Sequence, residues 1–187
     1  MRFNSLTIDD FYSNPMEVRE FALKQDFEVR GNYPGMRTKS FLNDSIKKRM
    51  RDILYPFAGE ITWWGGDYTG SFQYTTAADR SWIHADSTTD WAAVCYLTPD
   101  APVSAGTGIF KHKATGLTNW DYRNSNPEYL KTQPPGDDFQ DMTKWEIVLV
   151  LLNFIAFIQG LLIHLQINKN FISFSLFYSI QNLVCTI

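Results

Sequence analysis

His84 and Asp86 stand two residues apart in "SWIHADSTTDWAAVCYL", Ser81 to Leu97. On a β-strand successive side chains alternate, so the imidazole and the carboxylate would project from one face with Trp82 beside them. A divalent metal can take one nitrogen and one oxygen donor from such a pair. A second histidine from a distant strand would complete a two-histidine, one-carboxylate facial set that leaves three coordination positions open. The plain alternative is a turn histidine near a capping aspartate, and the pair alone fits both. The other histidines are His112 and His164.

The elements that would carry these residues are short strands behind two helices. "SNPMEVREFALKQDF" has a helix start: Asn14 as cap, Pro15 at the first helical position and Glu17 three residues after the cap. Val18, Phe21 and Ala22 then share a face. "EVRGNYPGMRTKSF" reads as an ordered loop because Gly31, Pro34 and Gly35 break the pattern. "NDSIKKRMRDILYPF" reads as a second amphipathic helix, with Ile46, Met50, Ile53 and Leu54 inward and Pro56 ending it. "ITWW", "SFQYTT", "SWIHAD", "WAAVCYLTP" and "GTGIFKH" then read as strands. Asn119 to Lys144 reads as a polar surface excursion. The expected class is mainly β (α+β), a sandwich or barrel preceded by two N-terminal helices, in one domain of 187 residues.

Composition narrows the function. The 14 Phe, 9 Tyr and 6 Trp suit packed sheets or an aromatic pocket. A net charge of −3 without a long basic block argues against nucleic-acid binding. On a helix the charges of "KKRMR" spread over the solvated side. Cys95 and Cys185 lie far apart without CxxC spacing, which suggests neither a disulfide framework nor a structural zinc site. The first fifteen residues lack a secretory pattern, so the expected compartment is the cytoplasm.

Taken together, Tyr74, the His84–Asp86 pair, "AVCYL" and "GTGIF" resemble the metal-binding core of the 2-oxoglutarate and iron(II)-dependent oxygenases. "DDFYSNPMEVREFAL" and "NYPGMRT" resemble a little-characterised, prolyl-hydroxylase-like branch of that superfamily, and the resemblance covers about residues 7–146. It implies a double-stranded β-helix, a cupin-like jelly roll, with Fe(II) at one mouth of the barrel. His84 and Asp86 would be metal ligands, with His164 in the place of the distal histidine. Tyr74 and Arg80 would contact 2-oxoglutarate; Arg37, Trp82, Trp91 and Tyr96 are candidates for the substrate pocket. The implied reaction is that of a dioxygenase, oxidative decarboxylation of 2-oxoglutarate to succinate coupled to hydroxylation of a small molecule, amino acid or peptide.

The tail departs from the rest. All 20 acidic residues and 16 of the 17 Lys and Arg lie in residues 1–146, and beyond them only Lys169 is charged. No arginine follows Arg123 to pair with the far carboxylate of 2-oxoglutarate. Residues 147–187 read in three ways: as closing jelly-roll strands that supply His164, as a membrane anchor, or as a segment from a shifted reading frame. The anchor reading rests on Ile147 to Leu165, 19 uncharged residues, against the roughly 20 that span a bilayer. An apolar tail of this kind could also join two copies as a homodimer. The rival functions are a cupin-like metalloenzyme that uses no 2-oxoglutarate and a non-catalytic, membrane-tethered binding domain.

Overall fold

A computed structural model describes residues 6–85, 91–99, 106–118, 124–152, 161–165, 172–176 and 182–186. The chain is α+β. Its elements run β1 (Leu6–Ile8), α1 (Pro15–Leu23), β2 (Met36–Ser40), α2 (Asp44–Ala58), β3 (Ser71–Thr75), β4 (His84–Ala85), β5 (Trp91–Tyr96) and β6 (Gly106–His112). They continue with α3 (Pro127–Lys131), two 3-10 turns, β7 (Trp145–Leu152), β8 (Leu161–Leu165), β9 (Ile172–Leu176) and β10 (Asn182–Thr186). Among the described residues no helix is long and apolar enough to cross a membrane. The bilayer-length segment of the sequence contributes β7 and β8 in its described parts.

Both expected helices form, with different ends. Pro15 opens α1, but Asn14 does not cap it; its amide instead donates to Glu17 Oε2 at 3.3 Å. Asn43 caps α2 by accepting from the Ile46 amide at 3.0 Å. Pro56 does not end α2. It sits in the last turn, where its missing N–H forfeits the bond to the Asp52 carbonyl but only Phe57 and Ala58 follow, and the helix stops at Gly59 with φ of 73°. "ITWW" forms no strand, and the described part of "SWIHAD" contributes His84–Ala85. The segment read as a loop contains β2, because its residues pair with β3 once Gly35 has turned the chain.

All of the strand pairings are antiparallel. One sheet has the order β1-β8-β5-β10-β3-β2, the other β4-β9-β6-β7. β2 and β3 are neighbours in one sheet; from β3 onward the described strands change sheet at every step except from β6 to β7, which pair with each other.

The helices cover one face of the six-stranded sheet. Phe72 of β3 and Ala93 and Cys95 of β5 join Phe11, Ala22, Met50, Leu54 and Leu97 in one buried cluster. Burying a side chain the size of Leu, Met or Phe contributes about 1.5–3 kcal/mol, so this cluster anchors both helices. The alternate residues of β3 are buried too: Ser71, Gln73 and Thr75 are polar and stand on the opposite face. From that face Tyr96 of β5 reaches the buried Thr107 of β6, in the other sheet.

Candidate metal centre

His84 begins β4, half-buried, and stands in register with Ser173 of β9. Its Nδ1 lies 3.1 Å from the backbone carbonyl of Trp82, and the two rings are 6.3 Å apart. A carbonyl can only accept, so Nδ1 carries the proton. In the neutral ring Nε2 then holds the lone pair. Histidines that ligate metals commonly have their other nitrogen tied to a carbonyl or carboxylate in this way. The arrangement therefore fits a divalent metal at Nε2.

His112 is built the other way. It is 1% exposed, its ring lies 4.8 Å from that of Trp145, and Nε2 is 3.0 Å from Asp138 Oδ2. The Thr115 amide donates to Nδ1 at 3.3 Å, and the Thr115 hydroxyl lies 2.9 Å from the same nitrogen. Nδ1 thus accepts and Nε2–H donates to Asp138. Nε2 ties β6 to the segment that leads into β7, and Nδ1 ties it to the turn that follows β6.

The other predicted site residues are dispersed. Asp86 lies outside the described residues. His164 is in β8, opposite Ala92 of β5; β8 and β4 belong to different sheets. Among the described residues no group of three His, Cys, Asp or Glu side chains gathers to hold a metal. Tyr74 is opposite Met36 and packs near Phe27, with ring centroids 5.9 Å apart. Arg80 is exposed in the segment between β3 and β4. Trp91 packs against the helix-side cluster, and Trp82 stays beside His84.

Arg37 and Tyr96 stand out for their settings. Arg37, in register with Gln73, donates from Nε to Gln73 Oε1 at 2.7 Å. Its guanidinium is 3.8 Å from the Tyr33 ring centroid and 5.2 Å from that of Tyr68. Burial raises the Tyr33 hydroxyl, against a smaller lowering by Arg37. Burial pushes the Tyr96 hydroxyl up to about 12, although its bond to Thr107 works the other way. Gln73, Thr107, Tyr33 and Tyr68 had escaped the reading of the sequence. The signal was there for Gln73 alone, the middle residue of the polar set Ser71, Gln73 and Thr75 that alternates with Phe72 and Tyr74. A separate cleft of about 500 Å³, lined by Tyr12, Glu17, Phe21, Phe41, Ile46 and Phe72, opens between the N-termini of α1 and α2.

Residues 3–133 match the model of a protein family described as a family of unknown function (DUF6445). The chain belongs to this family. The DUF6445 match spans α1, α2, β2 to β6 and α3, and includes His84, Asp86, Tyr96 and the Arg37 cluster. It stops before β7, so His164 lies beyond it. No curated protein matches the chain.

Proposed function

We propose that this member of DUF6445 is a non-haem iron(II), 2-oxoglutarate-dependent oxygenase that hydroxylates a small molecule, amino acid or peptide. One observation carries the reading: the Nδ1–H of His84 is held by the Trp82 carbonyl, which leaves Nε2 as the lone-pair nitrogen. The finer fold we propose is a double-stranded β-helix. What supports it is strand order, with β8-β5-β10-β3 against β4-β9-β6-β7. Eight strands that alternate between two antiparallel sheets in this way are the pattern of a jelly roll. His84 begins the edge strand of one of these sheets.

In this reading His84 Nε2 and Asp86 hold the metal, with His164 as third ligand. Iron(II) and 2-oxoglutarate, when bound, supply the oxidation of a substrate C–H bond. The chain's own part is to fix the imidazole through Trp82 and to keep water from the space between the sheets. Arg80 is the proposed co-substrate contact, with Arg37, Trp82 and Tyr96 on the substrate side. Tyr74 and Trp91 share the helix face of the sheet with Phe72 and Cys95, away from the space between the sheets, and are not part of the proposed site. A second reading, a metalloenzyme without 2-oxoglutarate, draws on the absence of any Arg or Lys from β7, β8, β9 and β10. A buried co-substrate carboxylate without a cation beside it is costly.

Anaerobic titration with Fe(II), with and without 2-oxoglutarate, tests both readings. The expected result is a metal-to-ligand charge-transfer band that requires both additions and disappears in His84→Ala. Iron binding without the band would favour the second reading. Absence of iron binding would return His84 to a structural role.

A further inference from the structure

Cys95 and Cys185 are 90 positions apart in the chain, yet the fold sets them directly opposite one another in the β5–β10 ladder. Cys185 is also the register partner of Phe72 in β3, so β10 runs between β3 and β5 and this position has a partner on each side. Directly opposed residues of an antiparallel pair have Cα atoms about 4.5 or 5.5 Å apart, depending on the hydrogen-bonding pattern. Both values fall inside the roughly 4.4–6.8 Å that a disulfide spans. A chain carrying two cysteines has set both at one rung of one sheet.

We propose that Cys95 and Cys185 are a cross-strand dithiol that closes to a disulfide when exposed to a low-molecular-weight disulfide. The exchange balances in two displacements. One cysteine thiolate attacks the small disulfide, forming a mixed disulfide and expelling one small thiolate. The second cysteine thiolate then attacks the mixed disulfide at the protein sulfur and expels the other. The protein loses two electrons and two protons, and the small disulfide becomes two thiols. Cys95 is 1% exposed beneath the helix-side cluster, so attack waits on local opening of the sheet, and the reaction is slow. Once closed, the bond ties β10 to β5 across a long loop, the geometry in which a cross-link restricts the unfolded chain most. The same sheet carries Gln73 and Tyr96, so oxidation would stiffen the framework behind the proposed pocket.

The test uses the intact chain in buffers of graded oxidised and reduced glutathione. Remaining thiols are alkylated in denaturant, and the digest is read by mass spectrometry. The expected result is loss of both thiols together, a peptide linking Cys95 to Cys185, and a melting transition raised by about 10 °C. Cys95→Ser and Cys185→Ser should each lose the reductant-dependent shift. The linked peptide is read on the unsubstituted chain, so it holds even if a variant folds poorly. Glutathione adducts at either cysteine in place of the link, dimers joined between chains, or thiols that stay reduced where an unfolded control oxidises would each overturn the proposal.

Discussion

The hydroxyls of Tyr96 and Thr107 lie 2.5 Å apart and join β5 of one sheet to β6 of the other. Burial raises the Tyr96 hydroxyl from 10.0 to about 12, so stability depends on pH in a defined window. Below pH 10 the group is protonated in the folded and unfolded chain alike, and its contribution is complete. Between pH 10 and about 12 the unfolded chain releases a proton that the folded chain keeps. Stability is therefore lost as pH rises, by about 1.4 kcal/mol per unit from this group. Urea melts at pH 8, 10 and 11.5 should show a steeper decline in the parent than in Tyr96→Phe. Equal slopes would mean that the hydroxyl is not enclosed.

Gly35 turns the chain into β2 with φ of 74°, and a Cβ there would stand 2.0 Å from the Tyr74 carbonyl oxygen. Gly35→Ala meets both an unfavourable backbone region and a backbone atom that cannot step aside. It should cost more than about 2 kcal/mol. Gly116 has φ of 70° but nothing within 4 Å of its Cβ position, so Gly116→Ala should cost only about 1 kcal/mol. Chemical denaturation of the two variants compares them directly. A similar loss in both would mean that β2 does not lie against β3 at this point.

What was legible in the sequence followed local rules. The spacing of Val18, Phe21 and Ala22, and of Met50 and Leu54, announces helices because 3.6-residue periodicity needs no partner to be seen. Alternation in "SFQYT" and "WAAVCY" announces strands for the same reason. β2 stayed hidden because the residues around Gly35 look like a loop until β3 supplies hydrogen bonds. "ITWW" misled because aromatic and β-branched content measures fit to a pleated surface, and among the described residues no strand pairs with it. The tautomers of His84 and His112 depend on which backbone groups approach each ring. Composition carries no trace of that, so only the fold shows that Nδ1 of His84 meets a carbonyl while Nδ1 of His112 accepts from an amide.

His112 supplies the control for the proposed metal centre. Its Nε2–H donates to Asp138, and its Nδ1 accepts from Thr115, inside a buried pocket against Trp145 and near Phe139. His112→Ala leaves Asp138 without this donor and removes a packed ring, and should cost about 2–4 kcal/mol in urea denaturation. Fe(II) affinity of the folded fraction, measured by equilibrium dialysis, should stay within about twofold. Loss of iron binding in a folded variant would place His112 in the metal centre and refute the assignment made from its hydrogen bonds.

The third ligand is the point at which the proposed site is most open to test. His164 is on β8, whereas the strand hydrogen-bonded to β4 is β9, with Ser173 opposite His84. Opposed residues of an antiparallel pair have Cβ atoms about 4.5–5.5 Å apart, so an imidazole at 173 would start beside that of His84. His164→Ala should weaken Fe(II) binding by roughly tenfold or more, about 1.4 kcal/mol. Adding Ser173→His to that variant should restore most of the loss, since it returns a second nitrogen donor from the neighbouring strand. Equilibrium dialysis with iron alone reads both effects without any assumption about co-substrate or turnover. If His164→Ala leaves the affinity unchanged while His84→Ala abolishes it, the tail supplies no ligand from β8. A gain from Ser173→His in the otherwise unaltered chain would then locate the vacant position on β9.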